Sequence, residues 1–137
     1  MIATMDIFKV VPSLHLPEGK YAVFGSGPLA AHGIRDSRDI DIIITSDVYD
    51  WASKLGWQEK SFSDGTLYLA KDGVELFDSW DYGAYNPTAE ELIEKAEIIR
   101  RVPFVPLSEV LKWKQAFGRP KDLDDIKLIE QHLLRSS

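Results

Sequence analysis

The stretch Asp39 to Thr45, Asp-Ile-Asp-Ile-Ile-Ile-Thr, narrows the fold more than any other part of the chain. Four isoleucines within it favour a strand, because β-branched side chains suit a pleated backbone. Side chains alternate along a strand, so Asp39 and Asp41 share one face while Ile40, Ile42 and Ile44 take the other. The isoleucine face demands an apolar cover. The other face carries two carboxylates about 7 Å apart, which repel one another unless a cation lies between them. Hard oxygen ligands at this spacing suit Mg²⁺ or Mn²⁺. Taken alone, an Asp-x-Asp is more often an exposed strand end with two solvated aspartates, so its surroundings decide.

Fourteen residues before Asp39 stands Gly25-Ser26, directly after the apolar run Tyr21-Ala22-Val23-Phe24 and before Pro28-Leu29-Ala30-Ala31-His32. The run reads as a buried strand, and the segment after it as about two turns of helix ended by Gly33. Glycine at such a turn permits close approach of the backbone, and the serine can offer its hydroxyl and N–H to a phosphate. Arg35 and Arg38 flank the carboxylates. Arg38 either contacts phosphate or neutralises Asp39; the sequence leaves both open. A further carboxylate comes from Val74-Glu75-Leu76-Phe77-Asp78, where parity puts Glu75 and Asp78 on opposite faces. Glu75 lies between two apolar residues, an odd place for a charge unless that face is a polar cleft, so it is favoured over Asp78.

The remaining segments supply the frame. Ser46 caps a helix to about Leu55. Residues 57–62 and 66–70 read as strands, and Asp72-Gly73 marks a tight hairpin to the next one. Asn86-Pro87-Thr88 opens a helix to about Ala96, Ile98 to Val105 is a strand, and Leu107 to Phe117 is a helix closed by Gly118. A last helix runs from Pro120 to about Leu134, with Leu123, Ile126, Ile129 and Leu133 on one stripe. The order predicts an α/β (α+β) sandwich: a mixed sheet flanked by helices, gathered toward one face and ending in a helical pair.

The 137 residues suffice for one domain with an ordinary core. The absence of cysteine excludes disulfides, zinc–thiolate sites and cysteine nucleophiles. Neither a leader nor a membrane-spanning run is evident, so the cytoplasm is the expected location. A net charge of −6 argues against nonspecific binding of duplex DNA. Residues 99–121 nevertheless gather Lys and Arg around a single Glu, a local patch suited to a phosphate ligand.

The pattern of apolar strand, Gly-Ser, short helix, Asp-x-Asp strand and a later lone acid resembles the nucleotidyltransferase superfamily. The segment from Gly118 to Ile126 is similar to the closing part of its small bacterial members, which include aminoglycoside and lincosamide nucleotidyltransferases and toxin–antitoxin partners. The resemblance covers about residues 20–130. It implies that Gly25 and Ser26 hold the triphosphate of an NTP, and that Asp39, Asp41 and Glu75 hold two Mg²⁺ ions. The implied reaction is transfer of a nucleoside monophosphate with Glu75 taking the proton. The acceptor, whether small molecule, tRNA end or protein, is not named by the sequence. By the same analogy Lys114 reaches a β- or γ-phosphate; otherwise it is a solvated cation at a helix end. Pro28 and the use of Glu as third acid depart from the usual pattern.

A catalytically silent nucleotide-binding or antitoxin-type domain shares every one of these features, and 137 residues leave the acceptor to the same cleft, a homodimer interface or a partner protein. A dinucleotide-binding unit fits Gly25-Ser26-Gly27, but its acid should follow the second strand rather than precede it. Trp80, Tyr82 and Tyr85 are candidates for lining an acceptor pocket. Asp122 is read as a first-turn helix acid, and Asp124 and Asp125 as surface residues.

Overall fold

Seven strands form a single sheet: β1 (Tyr21–Phe24), β2 (Ile40–Ile44), β3 (Gln58–Ser61), β4 (Leu67–Lys71), β5 (Val74–Phe77), β6 (Glu97–Ile99) and β7 (Val102–Phe104). The computed structural model describes residues 6–136. The strand order is β3-β4-β5-β2-β1-β7-β6, which puts the isoleucine strand β2 in the middle. β2 runs antiparallel to β1 and parallel to β5, and β7 is parallel to β1, so the sheet is mixed. The helices are α1 (Ile7–Ser13), α2 (Gly27–Ala31), α3 (Ser46–Ser53), α4 (Ala89–Glu94), α5 (Leu107–Phe117) and α6 (Asp122–Ser136).

Alternation along β2 divides the core. Ile40, Ile42 and Ile44 join Val23, Val74 and Leu76 beneath α1 and α3. Ile43 joins Ala22, Phe24 and Phe77 beneath α4, α5 and α6. Helices therefore cover both faces instead of gathering on one, because a strand as apolar as β2 needs cover on both sides. Among the described residues no helix is long and apolar enough to cross a membrane.

The Asp72-Gly73 hairpin forms as expected, with φ of +49° and +81° and Lys71 opposite Val74. Helix α4 opens one step later than its Asn-Pro-Thr signal: Thr88 is the cap and makes a capping box with Glu91. Thr45, not Ser46, caps α3. Helix α1 had no clear periodic signal, being seven residues with Pro12 inside, and it is started by the Asp6 side chain accepting from the N–H of Phe8. The segment expected as one strand from Ile98 to Val105 is a hairpin of β6 and β7. Its turn is Arg100-Arg101, with φ of +48° and +71°, where neither residue type advertises a turn. Arg100 rests its guanidinium 4.1 Å from the centre of the Phe8 ring.

Helix α6 differs most from its reading. Leu123 is 56% exposed, whereas Asp122, Asp125 and Ile129 are buried. The buried face is rotated away from the leucine stripe because two of its positions carry carboxylates with partners beneath them. Ile42, fully buried at the sheet centre, sets the expected cost of disturbing the core: Ile42→Ala should destabilise by about 3 kcal/mol in urea denaturation without changing the secondary structure seen by circular dichroism.

Candidate functional site

The register of the central strands fixes the acids. Asp41 lies opposite Phe24 in β1 and opposite Glu75 in β5, so the two carboxylates sit side by side on one face. Asp78 lies beyond the end of β5 and feels Asp50 of α3 instead. Asp39 precedes β2 and is exposed, yet its charge acts on both Asp41 and Glu75. Further along the same face Ile43 and Phe77 are buried, so the acids stand where the apolar face gives way to a cleft of about 1090 Å³. Ser26, Asp41 and Glu75 line it on the sheet side, and Lys114, Arg119 and Asp125 on the helix side.

The Gly25 turn touches this site directly. Gly25 has φ of +62°, and a side chain there would run into the Asp41 carboxylate, so only glycine lets the turn close against it. The Ser37 hydroxyl donates to the carbonyl of Asp39 at 2.6 Å. The Ser26 hydroxyl therefore donates to Ser37 at 2.8 Å, which fixes the turn to the segment before β2. The main-chain N–H of Ser26 meets no acceptor among the described residues.

Burial, then Glu75, then Asp39 push the Asp41 carboxyl up to about 7, against an opposing pull from Lys114. Burial and Asp39 also raise Glu75, which Lys60 counters. Burial and mutual repulsion thus outweigh the nearby lysines and favour the protonated carboxyls. Among the described residues no three His, Cys, Asp or Glu side chains are drawn close enough to enclose an ion by themselves. The donor set is still one of hard oxygens in want of a cation, which fits Mg²⁺ or Mn²⁺.

The helix side is a buried ion cluster. Lys114, only 3% exposed, holds Asp122 at 3.2 Å and Asp125 at 3.0 Å. Arg35 grips both oxygens of Asp125 at 2.7 and 2.8 Å, and Arg119 both oxygens of Asp122 at 2.8 and 2.9 Å. Burial alone would raise these two aspartates, but their cations hold both below the usual carboxylate range. Three cations against two carboxylates leave a surplus positive charge beside Asp41. Lys114 is thus no solvated helix end, and the partners the structure gives its ammonium are carboxylates rather than a phosphate. Asp125 is not a surface residue, and Asp122 does more than complement a helix dipole. The signal for both was their spacing with Ile129, which places all three on one helical stripe.

Arg38 is exposed, makes no hydrogen bond or ion pair among the described residues, and stands outside the cleft lining. His32 turns away to Glu97. Trp80 and Trp113 are buried, with indole N–H groups that find no acceptor among the described residues. Tyr85 is committed to Glu109 at 3.4 Å, which leaves Tyr82 as the tyrosine facing the cleft. The antiparallel pairing of β1 with β2 also disposes of a dinucleotide-binding unit, whose two strands are parallel. No protein-family model, curated protein or solved structure matches the chain.

Lys114→Met should lower stability by about 3 kcal/mol at neutral pH, because Asp122 and Asp125 lose a buried partner; thermal melts measure this. The raised Asp41 gives a second expectation. An acid that holds its proton more tightly folded than unfolded stabilises the fold fully below the unfolded value and loses that contribution as pH rises through the folded one. Without divalent cations, melts should show wild type losing stability relative to Asp41→Asn between about pH 4 and pH 7.

Proposed function

We propose that this protein transfers a nucleoside monophosphate from a nucleoside triphosphate to an acceptor hydroxyl, releasing pyrophosphate, as the nucleotidyltransferase superfamily does. One observation carries the proposal: Asp41 and Glu75 stand side by side on neighbouring strands, with the Gly25 backbone closed against Asp41. The order of parts, phosphate turn before paired acids and a third acid on the adjacent strand, is the one by which the sequence resembles that superfamily.

Asp39, Asp41 and Glu75 would hold Mg²⁺ or Mn²⁺. Such an ion, when bound, neutralises phosphate charge and lowers the pKa of an acceptor hydroxyl. The chain's own groups do the rest. Ser26, which lines the cleft and whose main-chain N–H has no acceptor among the described residues, would meet phosphate beside the Gly25 turn. The cluster of Lys114, Arg35 and Arg119 keeps a fixed positive charge behind the site without itself moving. Glu75 accepts the proton as the acceptor oxygen bonds to the α-phosphorus and the bond to pyrophosphate breaks; its raised proton affinity makes it the better base. The acceptor occupies the remainder of the cleft, or completes the site from a second copy or a partner protein. A cytoplasmic location, where nucleoside triphosphates and Mg²⁺ are plentiful, suits the reaction.

The test is a pyrophosphate-release screen with Mg²⁺, each NTP and a panel of hydroxyl acceptors, run on wild type and Asp41→Asn. Wild type should turn over with at least one acceptor, and Asp41→Asn should lose at least a hundredfold in rate while melting cooperatively. Equal turnover by the two proteins would overturn the assignment. Nucleotide binding without release against every acceptor would instead mark a binding or antitoxin-type domain.

A further inference from the structure

We propose that Tyr82 is a direct ligand of the nucleotide, its phenolic hydroxyl donating a hydrogen bond to a phosphate oxygen in the cleft. The inference rests on the nucleotide reading of the cleft given above, and gives Tyr82, first a candidate for the acceptor pocket, a role toward the nucleotide instead.

Tyr82 is built to hold its hydroxyl in one place. Its backbone exchanges two hydrogen bonds with Tyr85, at 2.7 and 3.0 Å, across a tight turn in which Gly83 has φ of +61°. Its ring lies 4.4 Å from Phe117, 6.0 Å from Trp113 and 6.2 Å from Trp80, centroid to centroid. A ring clamped on three sides has little rotamer freedom left to lose when it binds.

The hydroxyl itself is uncommitted. Tyr49 donates to Glu59 at 2.9 Å and Tyr85 reaches Glu109, whereas the Tyr82 hydroxyl has no partner among the described residues. Tyr82 lines the cleft, and the charges of Arg119, Asp41, Asp64 and Asp122 all act on its phenol. It therefore stands in the field of the acid that would meet the polyphosphate and of a guanidinium that Asp122 holds rigid. The phenol is protonated at neutral pH, and burial first of all raises its proton affinity further. An anionic oxygen that arrives with its own counter-ion complements such a neutral donor, since the counter-ion offsets the surrounding carboxylates.

The experiment follows tryptophan emission, reported by Trp80 and Trp113 beside the ring, during titration with a nonhydrolysable ATP analogue in Mg²⁺. Tyr82→Phe keeps the ring and removes the donor. Its affinity should fall about tenfold, its melting temperature should match wild type, and Tyr68→Phe, outside the cleft lining, should bind as wild type does. Unchanged affinity in Tyr82→Phe would overturn the proposal, as would a matching loss in Tyr68→Phe or a marked drop in melting temperature. Failure confined to Tyr82→Phe, with binding still lost in Asp41→Asn, leaves the nucleotide site standing. Failure of wild type to bind overturns both.

Discussion

The site depends on one buried ammonium. Lys114 reaches Asp122 and Asp125 from α5, and through them gathers Arg35 from the segment before β2 and Arg119 from the turn into α6. Burying Lys114, Asp122 and Asp125 is costly, and the arrangement persists because each carboxylate is gripped by two cationic side chains in good geometry. The cluster does for the helix side of the cleft what the β-ladder does for the sheet side. It also sets the local field, since the charge of Lys114 acts on Asp41 across the cleft.

Opposed charge sets of this kind let a chain with net charge −6 carry a local surplus of positive charge on one side of its cleft. The acids are confined to a short length of two strands, where an ion can cancel them. The cations are held apart from them by their own aspartates, so the two sets do not collapse onto one another. Aromatic rings fill the gap between: Phe24 stacks on Trp80 at 4.4 Å, and Trp80 meets Trp113 edge-on at 5.1 Å. A wall of such rings lowers the local dielectric and lengthens the reach of every charge in the cleft.

The sheet side was legible because strands report their faces by parity. Asp41 and Glu75 each lie between apolar residues at odd positions, and the Asp72-Gly73 hairpin set the register of β5 against β4. The helix side was not, because its partners lie far apart in sequence and their pairing leaves no local mark. Asp125 reads as a polar residue on a polar surface until Arg35, 90 residues earlier, is folded against it. The Arg100-Arg101 turn was hidden for another reason: tertiary contact with Phe8, not turn propensity, holds it. Leu123 misled because a leucine stripe is the commoner cue, and here the carboxylates won the buried face.

That span of 90 residues between Arg35 and Asp125 has a consequence for how the molecule comes into being. Hairpins such as β4–β5 close over a two-residue turn and need only local search. Pairing Arg35 with α6 requires most of the chain to be in place first, and loop closure over such a distance is slow. The parallel pairing of Val23 with Phe104 spans almost as much chain, so the sheet and the helix side of the cleft both wait on long-range closure. Loosening of α6 takes Asp122 and Asp125 with it, so Arg35, Lys114 and Arg119 lose their partners in one step.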